Sequence, residues 1–182
     1  MSDTGWVNPT STIDQGSDWT NVNNLKVNDS SYATANTSMG NSTTSIYCTG
    51  FGFSIPSDAT IDDIQCRIKG YSSPNGGTVG NQGASGTYWL KAGVSVGTGT
   101  TSYIYDTDQY YTAKTGLGGV SWDYLDINNS DFGSCIYRGS HSGTATDVDW
   151  YLDHLQIIVY YTEVVITPIV GSKYPLPAFK RP

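Results

Sequence analysis

The stretch TDVDWYLDHLQIIVYY, residues 146–161, decides the fold. Val148, Trp150 and Leu152 place apolar side chains at even positions, whereas Leu155, Ile157, Val159 and Tyr161 place them at odd ones. A strand turns successive side chains to opposite faces, so a strand with one buried face should keep a single parity. The parity here changes between Leu152 and Leu155, which one extra residue near Asp153 or His154 would produce. That is the signature of a β-bulge in one long central strand. Two strands split at Asp153 are the alternative.

The same alternation recurs on either side. In IDDIQCRIKGY (61–71), Ile64, Cys66 and Ile68 alternate with Gln65, Arg67 and Lys69, which reads as a half-buried antiparallel strand. TYWLKAGVSV (87–96) reads as one strand, with Tyr88, Leu90, Ala92, Val94 and Val96 on the apolar face and Trp89, Lys91 and Ser95 opposite. Further strands are expected in TSIYCTGFGF (44–53), SYIYD (102–106) and FGSCIYR (132–138), and the Gly-rich segment 72–86 reads as a long connecting loop. About eight strands with frequent turn signals and no helical period indicate an all-β chain. The expected architecture is a single antiparallel β-sandwich, jelly-roll-like, over residues 1–162, with 1–20 as an extended N-terminal segment.

Composition agrees. The 182 residues suit one domain, and 21 Gly, 14 Tyr and only 14% charged residues favour strands and turns over helices. Glu163 is the single glutamate, so the usual residues of helix surfaces are scarce. No apolar run has the length of a membrane helix, and the N-terminus lacks the charged and apolar regions of a signal peptide. Cys48, Cys66 and Cys135 have no metal-ligand spacing and read as reduced core thiols.

Charge divides the chain. Residues 1–162 carry six Lys/Arg against 15 acids, net −9, which opposes nucleic-acid binding. Residues 163–182 carry three cations against Glu163, net +2, together with four of the seven prolines. Proline excludes a central strand there, so an extended arm is expected. Ile166, Ile169, Val170, Tyr174, Leu176 and Phe179 are its apolar anchors, and Lys173, Lys180 and Arg181 its charged contacts. Such a segment, pre-extended by its prolines, suits docking on another subunit.

A nucleophile has no Gly-x-Ser-x-Gly elbow and only His141 and His154 as bases, so nucleophilic catalysis is not expected. Carboxylate pairs such as Asp106 with Asp108, or Asp147 with Asp149, read as turn and strand-edge residues. Asp126, Asn128 and Ser130 have the spacing of a calcium loop, but Asp131 stands where that loop needs Gly and Tyr137 where it needs Glu. Neither a metal nor a cofactor is expected. Five Trp and 14 Tyr would suit sugar stacking, for which Trp89, opposite the apolar face of its strand, is the candidate.

Three segments carry a resemblance: GFGFSIPSDATIDDIQCRI (50–68), SWDYLDINNSDFG (121–133) and DVDWYLDHLQIIVYY (147–161). With the opening from Trp6 to the Tyr32-Ala33 pair, they resemble a β-sandwich domain of tailed-bacteriophage structural proteins. The motifs are short and architectural: Pro56 stiffens a strand end, and DINNSDFG is a polar turn leading to Phe132. The resemblance implies a non-enzymatic virion protein, made in the host cytoplasm. The expected role is capsid decoration or cement, with the major capsid protein and further copies of itself, as a homotrimer, for partners. The alternatives are a carbohydrate-binding or receptor-binding module of a tail fibre, and a tail or neck component.

Overall fold

The computed structural model describes residues 1–38, 41, 43–75, 79–81, 84–138, 142–143 and 146–164. In chain order the elements are β1 (Ser2–Asp3), β2 (Ser11–Asp14), a 3-10 turn (Val22–Leu25), β3 (Ala33–Ser38), β4 (Ile46–Thr49), β5 (Thr60–Asn75) and β6 (Val79–Asn81). They continue as β7 (Ala84–Lys91), β8 (Val94–Tyr103), β9 (Gln109–Thr115), α1 (Tyr124–Asn128), β10 (Gly133–Arg138), β11 (Ser142–Gly143) and β12 (Asp147–Thr162). Among the described residues, one sheet runs β1-β12-β5-β9 with β3 also on β12, a second runs β2-β4-β10-β7-β8, and β6 pairs with β11. All pairings are antiparallel, and the two large sheets pack as a β-sandwich.

Between them lies the core. Ile64, Cys66 and Ile68 from β5, with Val148, Leu155, Ile157 and Val159 from β12, are wholly buried against Ile46 and Cys48 of β4 and Trp89 of β7. Cys48, Cys66 and Cys135 are free and buried. Burial pushes the Cys66 thiol up to about 12 and the Cys48 thiol well above its usual range, so neither supplies a thiolate near neutrality.

β12 is one strand, bulged where its apolar parity changes. Leu152 pairs with Gly70 and His154 with Lys69, which leaves Asp153 without a partner in the ladder. Glycine is required opposite the bulge, because a Cβ at position 70 would run into the Tyr151 carbonyl oxygen. The extra residue keeps both halves of β12 in register with the core. It also keeps Asp149, Tyr151, His154 and Gln156 together on the outer face.

Three expectations need correction. Residues 87–96 are a hairpin, because Ala92 and Gly93 adopt positive φ (50° and 76°), the backbone of a two-residue type I′ turn. The Gly-rich segment is largely strand in its described part, since β5 extends to Asn75 and β6 and β7 follow. DINNSDFG begins as the last turn of α1, started by a reciprocal capping box between Asp123 and Asp126, a local signal strong enough to hold five residues in helix. The N-terminal segment joins both sheets: β1 pairs with β12 in one and β2 with β4 in the other. β12 ends at Thr162, and the arm anchors Ile166, Ile169, Val170, Tyr174, Leu176 and Phe179, with Lys173, Lys180 and Arg181, lie outside the described residues.

Candidate functional site

The outer face of the sheet built on β5 and β12 carries an array of aromatic and polar side chains. Strand pairing sets its rows: Ser73 opposite Asp149, Tyr71 opposite Tyr151, Lys69 opposite His154, and Arg67 opposite Gln156. β3 adds Asn36 beside Asp149 and Thr34 beside Tyr151, while β9 adds Tyr110 beside Lys69.

At one end is an open cleft of about 340 Å³ lined by Asp18, Thr20, Thr34, Ala35, Asn36, Asp149 and Tyr151. Its central carboxylate is held from both sides: Asn36 Nδ2 donates to Asp149 Oδ1 at 2.6 Å, and Asn75 Nδ2 donates to Oδ2 at 2.8 Å. Thr20 and Thr34 share a 2.6 Å hydroxyl contact, and Asp18 accepts from the Thr44 amide. These acceptors are therefore oriented by neutral groups and not drawn onto a cation.

Tyr151 belongs both to this cleft and to an aromatic cluster. Its ring lies parallel to that of Tyr71 (4.5 Å between centroids, 7° between planes), and Tyr32 meets both edge-on at 5.4 and 6.0 Å. Offset-parallel and edge-to-face contacts are the favoured arrangements of rings, so the cluster is rigid. The Tyr32 hydroxyl donates to Asp108 at 3.1 Å; burial first and this carboxylate second raise its pKa.

Next along the face is the bulge. Asp153, 0% exposed, accepts Lys69 Nζ at 2.7 Å and the backbone N–H groups of Asp29 and Ser30. Lys69 also reaches Asn28 Oδ1 (2.9 Å) and Asp108 (3.4 Å), and its hydrogen bond to Asp153 raises its pKa. This network ties the loop ahead of β3 to the sheet. Beside it, His154 Nδ1 lies 2.9 Å from the Tyr110 hydroxyl and Nε2 lies 3.0 Å from Asn8 Oδ1. Since Asn8 Oδ1 can only accept, Nε2 carries the proton and Nδ1 accepts from Tyr110. Burial lowers the pKa of His154, which favours that neutral ring.

At the far end Arg67 is held between aromatic rings, its Cζ 4.1 Å from the Trp6 centroid and 4.3 Å from that of Tyr110. Nε and Nη2 both donate to Gln156 Oε1, at 2.9 and 2.6 Å.

The residues singled out in the sequence are differently placed. Trp89 is not an exposed platform: it is 0% exposed in the core, and its indole N–H donates to the Gly116 carbonyl at 2.8 Å. The strand's parity misleads because it was carried through the turn at Ala92-Gly93, beyond which Val94 is 64% exposed. Asp126 caps α1 and pairs with Lys91 at 2.7 Å, and the Asn128 amide is spent on both backbone groups of Ile55. Their side chains are engaged in structure. The sequence reads Asp149 only as a strand-edge carboxylate and does not single out Tyr151, Tyr71, Tyr32, Trp6 or Arg67, although Tyr71 and Tyr151 stand at the wet parity of their strands. A bulky aromatic at a position facing water was the available signal.

No family model matches the chain, and no curated protein does. It is similar to a solved structure of a carbohydrate-binding module, described as "CBM4 structure and function", over 86% of this chain and 95% of that chain. The identity is 12% and the TM-score 0.44, a likeness too loose to assign a family or a ligand.

Proposed function

We propose that the chain is a non-catalytic glycan-binding module that reads saccharides with the outer face of the β5–β12 sheet. One observation carries the reading: the stacked Tyr71–Tyr151 pair adjoins an open cleft whose carboxylate, Asp149, is pre-oriented by Asn36 and Asn75. Sugars present apolar C–H faces and a fringe of hydroxyls. An aromatic ring beside fixed oxygen acceptors matches both, and rigid acceptors lose little entropy on binding.

A broad glycan array followed by calorimetric titration tests it. Tyr151→Ala should weaken the best saccharide by about tenfold or more, the usual consequence of truncating an aromatic anchor. Asp149→Ala should do likewise with the fold intact by circular dichroism. Absence of any saccharide binding across the array would sink the reading. The capsid-decoration role, with a tail or neck component beside it, was expected from the arm and the motif resemblance; the arm's contact residues lie outside the described residues.

A further inference from the structure

The opposite end of the same face is chemically unlike the cleft. Arg67 rises from β5 with Trp6 reaching it from the N-terminal segment beyond β12 and Tyr110 from β9, that is, from opposite sides of its strand. The guanidinium is fixed a second time by its two hydrogen bonds to Gln156 Oε1. Gln156 Nε2 donates to Asn8 Oδ1, His154 Nε2 donates to the same oxygen, and Tyr110 closes the circuit on His154 Nδ1. Every acceptor in this circuit is neutral. Lys69 and Lys91 each have a carboxylate within ion-pair distance, but among the described residues Arg67 has none.

An acidic protein has thus built a rigid, partly buried guanidinium with no acid beside it among the described residues. The two rings flank the guanidinium carbon, Nε and Nη2 share Gln156 Oε1, and Nη1 makes no hydrogen bond among the described residues. A planar fork approached edge-on is matched best by a planar oxyanion, which it binds with two parallel charge-assisted bonds. We infer that the Trp6–Arg67–Tyr110 stack is a carboxylate-binding subsite, and that the glycan taken by this face carries a uronic acid. The inference rests on the glycan-binding reading and narrows its substrate class. Arg67 and Tyr71 are four residues apart on β5, a separation of roughly 13 Å. That exceeds the screening length of about 8 Å at physiological salt, so the acidic cleft does not cancel the attraction. A chain spanning both ends would be oriented, its carboxylate at Arg67 and its hydroxyls at Asp149.

The test is titration of the full chain with oligogalacturonates and glucuronate-containing oligosaccharides, each against its methyl ester. The free acids should bind at least tenfold more tightly than the esters, and the advantage should fall at high salt. Arg67→Gln should erase the difference between acid and ester, Arg67→Lys should restore only part of it, and Tyr151→Ala should weaken acid and ester alike. Comparison of acid with ester on the unaltered protein needs no variant to fold. If esters or neutral oligosaccharides bind as well as the acids, the carboxylate subsite is overturned while glycan binding stands. If no saccharide binds at all, both fall.

Discussion

Two β-bulges, one on each of the strands that flank β5, each set the surroundings of a lysine, and they treat its charge in opposite ways. At the bulge of β12, the unpaired residue Asp153 turns toward Lys69 and the two bond at 2.7 Å, with the Asp29 and Ser30 amides filling the remaining acceptor sites. At the bulge of β9, Cys66 pairs with Lys114 and Arg67 with Thr112, so Ala113 is the extra residue and Lys114 is swung into the core at 2% exposure. There Nζ donates to the Thr98 carbonyl at 2.6 Å and to Thr100 Oγ1 at 3.3 Å, and lies 5.5 Å from the Trp89 ring. Burial lowers its pKa, whereas the Asp153 hydrogen bond raises that of Lys69. The same sheet irregularity therefore gives a compensated charge at one place and a buried one held by neutral acceptors at the other. A bulge decides which way a side chain points; the partner decides whether that direction stabilises.

The largest effect is expected at the compensated pair. Asp153→Ala leaves Lys69 without its main partner and two amides of the loop ahead of β3 unsatisfied, so urea denaturation should show a loss of about 3–5 kcal/mol. A loss below about 1 kcal/mol would mean that water replaces the carboxylate and that the two bulges do not differ. Lys114→Met comes next and should go the other way. The methionine fills the same channel without an ammonium to desolvate, so stability should hold or rise by up to about 2 kcal/mol. A clear loss would show that the bonds to Thr98 and Thr100 outweigh the burial of charge.

The smallest effect is in the pH profile. A lysine whose pKa is raised on folding contributes stability that is whole below its ordinary 10.5 and is lost as pH climbs through the folded value, as for Lys69. Lys114, lowered from 10.5, has the reverse sign: its penalty is present at neutral pH and disappears as pH rises past the folded value toward 10.5. Tyr32, with its raised pKa, adds to the Lys69 trend. Lys114→Met should therefore decline more steeply than the unaltered chain between about pH 9 and 11, measured by chemical denaturation at each pH. Parallel profiles would remove the distinction.

The two bulges were also unequally legible. The β12 bulge shows in the sequence because apolar residues flank it on both sides, so the slip in parity is visible between Leu152 and Leu155. The β9 bulge does not show, since Tyr111 and Ala113 are followed by Lys114, Thr115 and Gly116, and no apolar residue marks the new face. Trp89 was misplaced for a related reason. Trp89 and Leu90 are both buried, so alternation there cannot tell the faces apart, and the turn at Ala92-Gly93 interrupts the run that seemed to settle it. The helix at Tyr124–Asn128 had its capping signal in Asp123 and Asp126, but a single turn is too short to show a period.

By itself the sequence determined the all-β character, the long bulged strand at its centre, and the inward faces of β5 and β12. Hydrophobic alternation encodes which face of a strand is buried, and burial of that face drives the fold. Only the tertiary structure decided the site. Tyr71 meets Tyr151, Asn36 meets Asp149, and Trp6 meets Arg67 because β3, the N-terminal segment, β5 and β12 are neighbours in one sheet. Alternation says which side of a strand faces water. It carries no information about which strand lies alongside, and the candidate binding face is made wholly of such adjacencies.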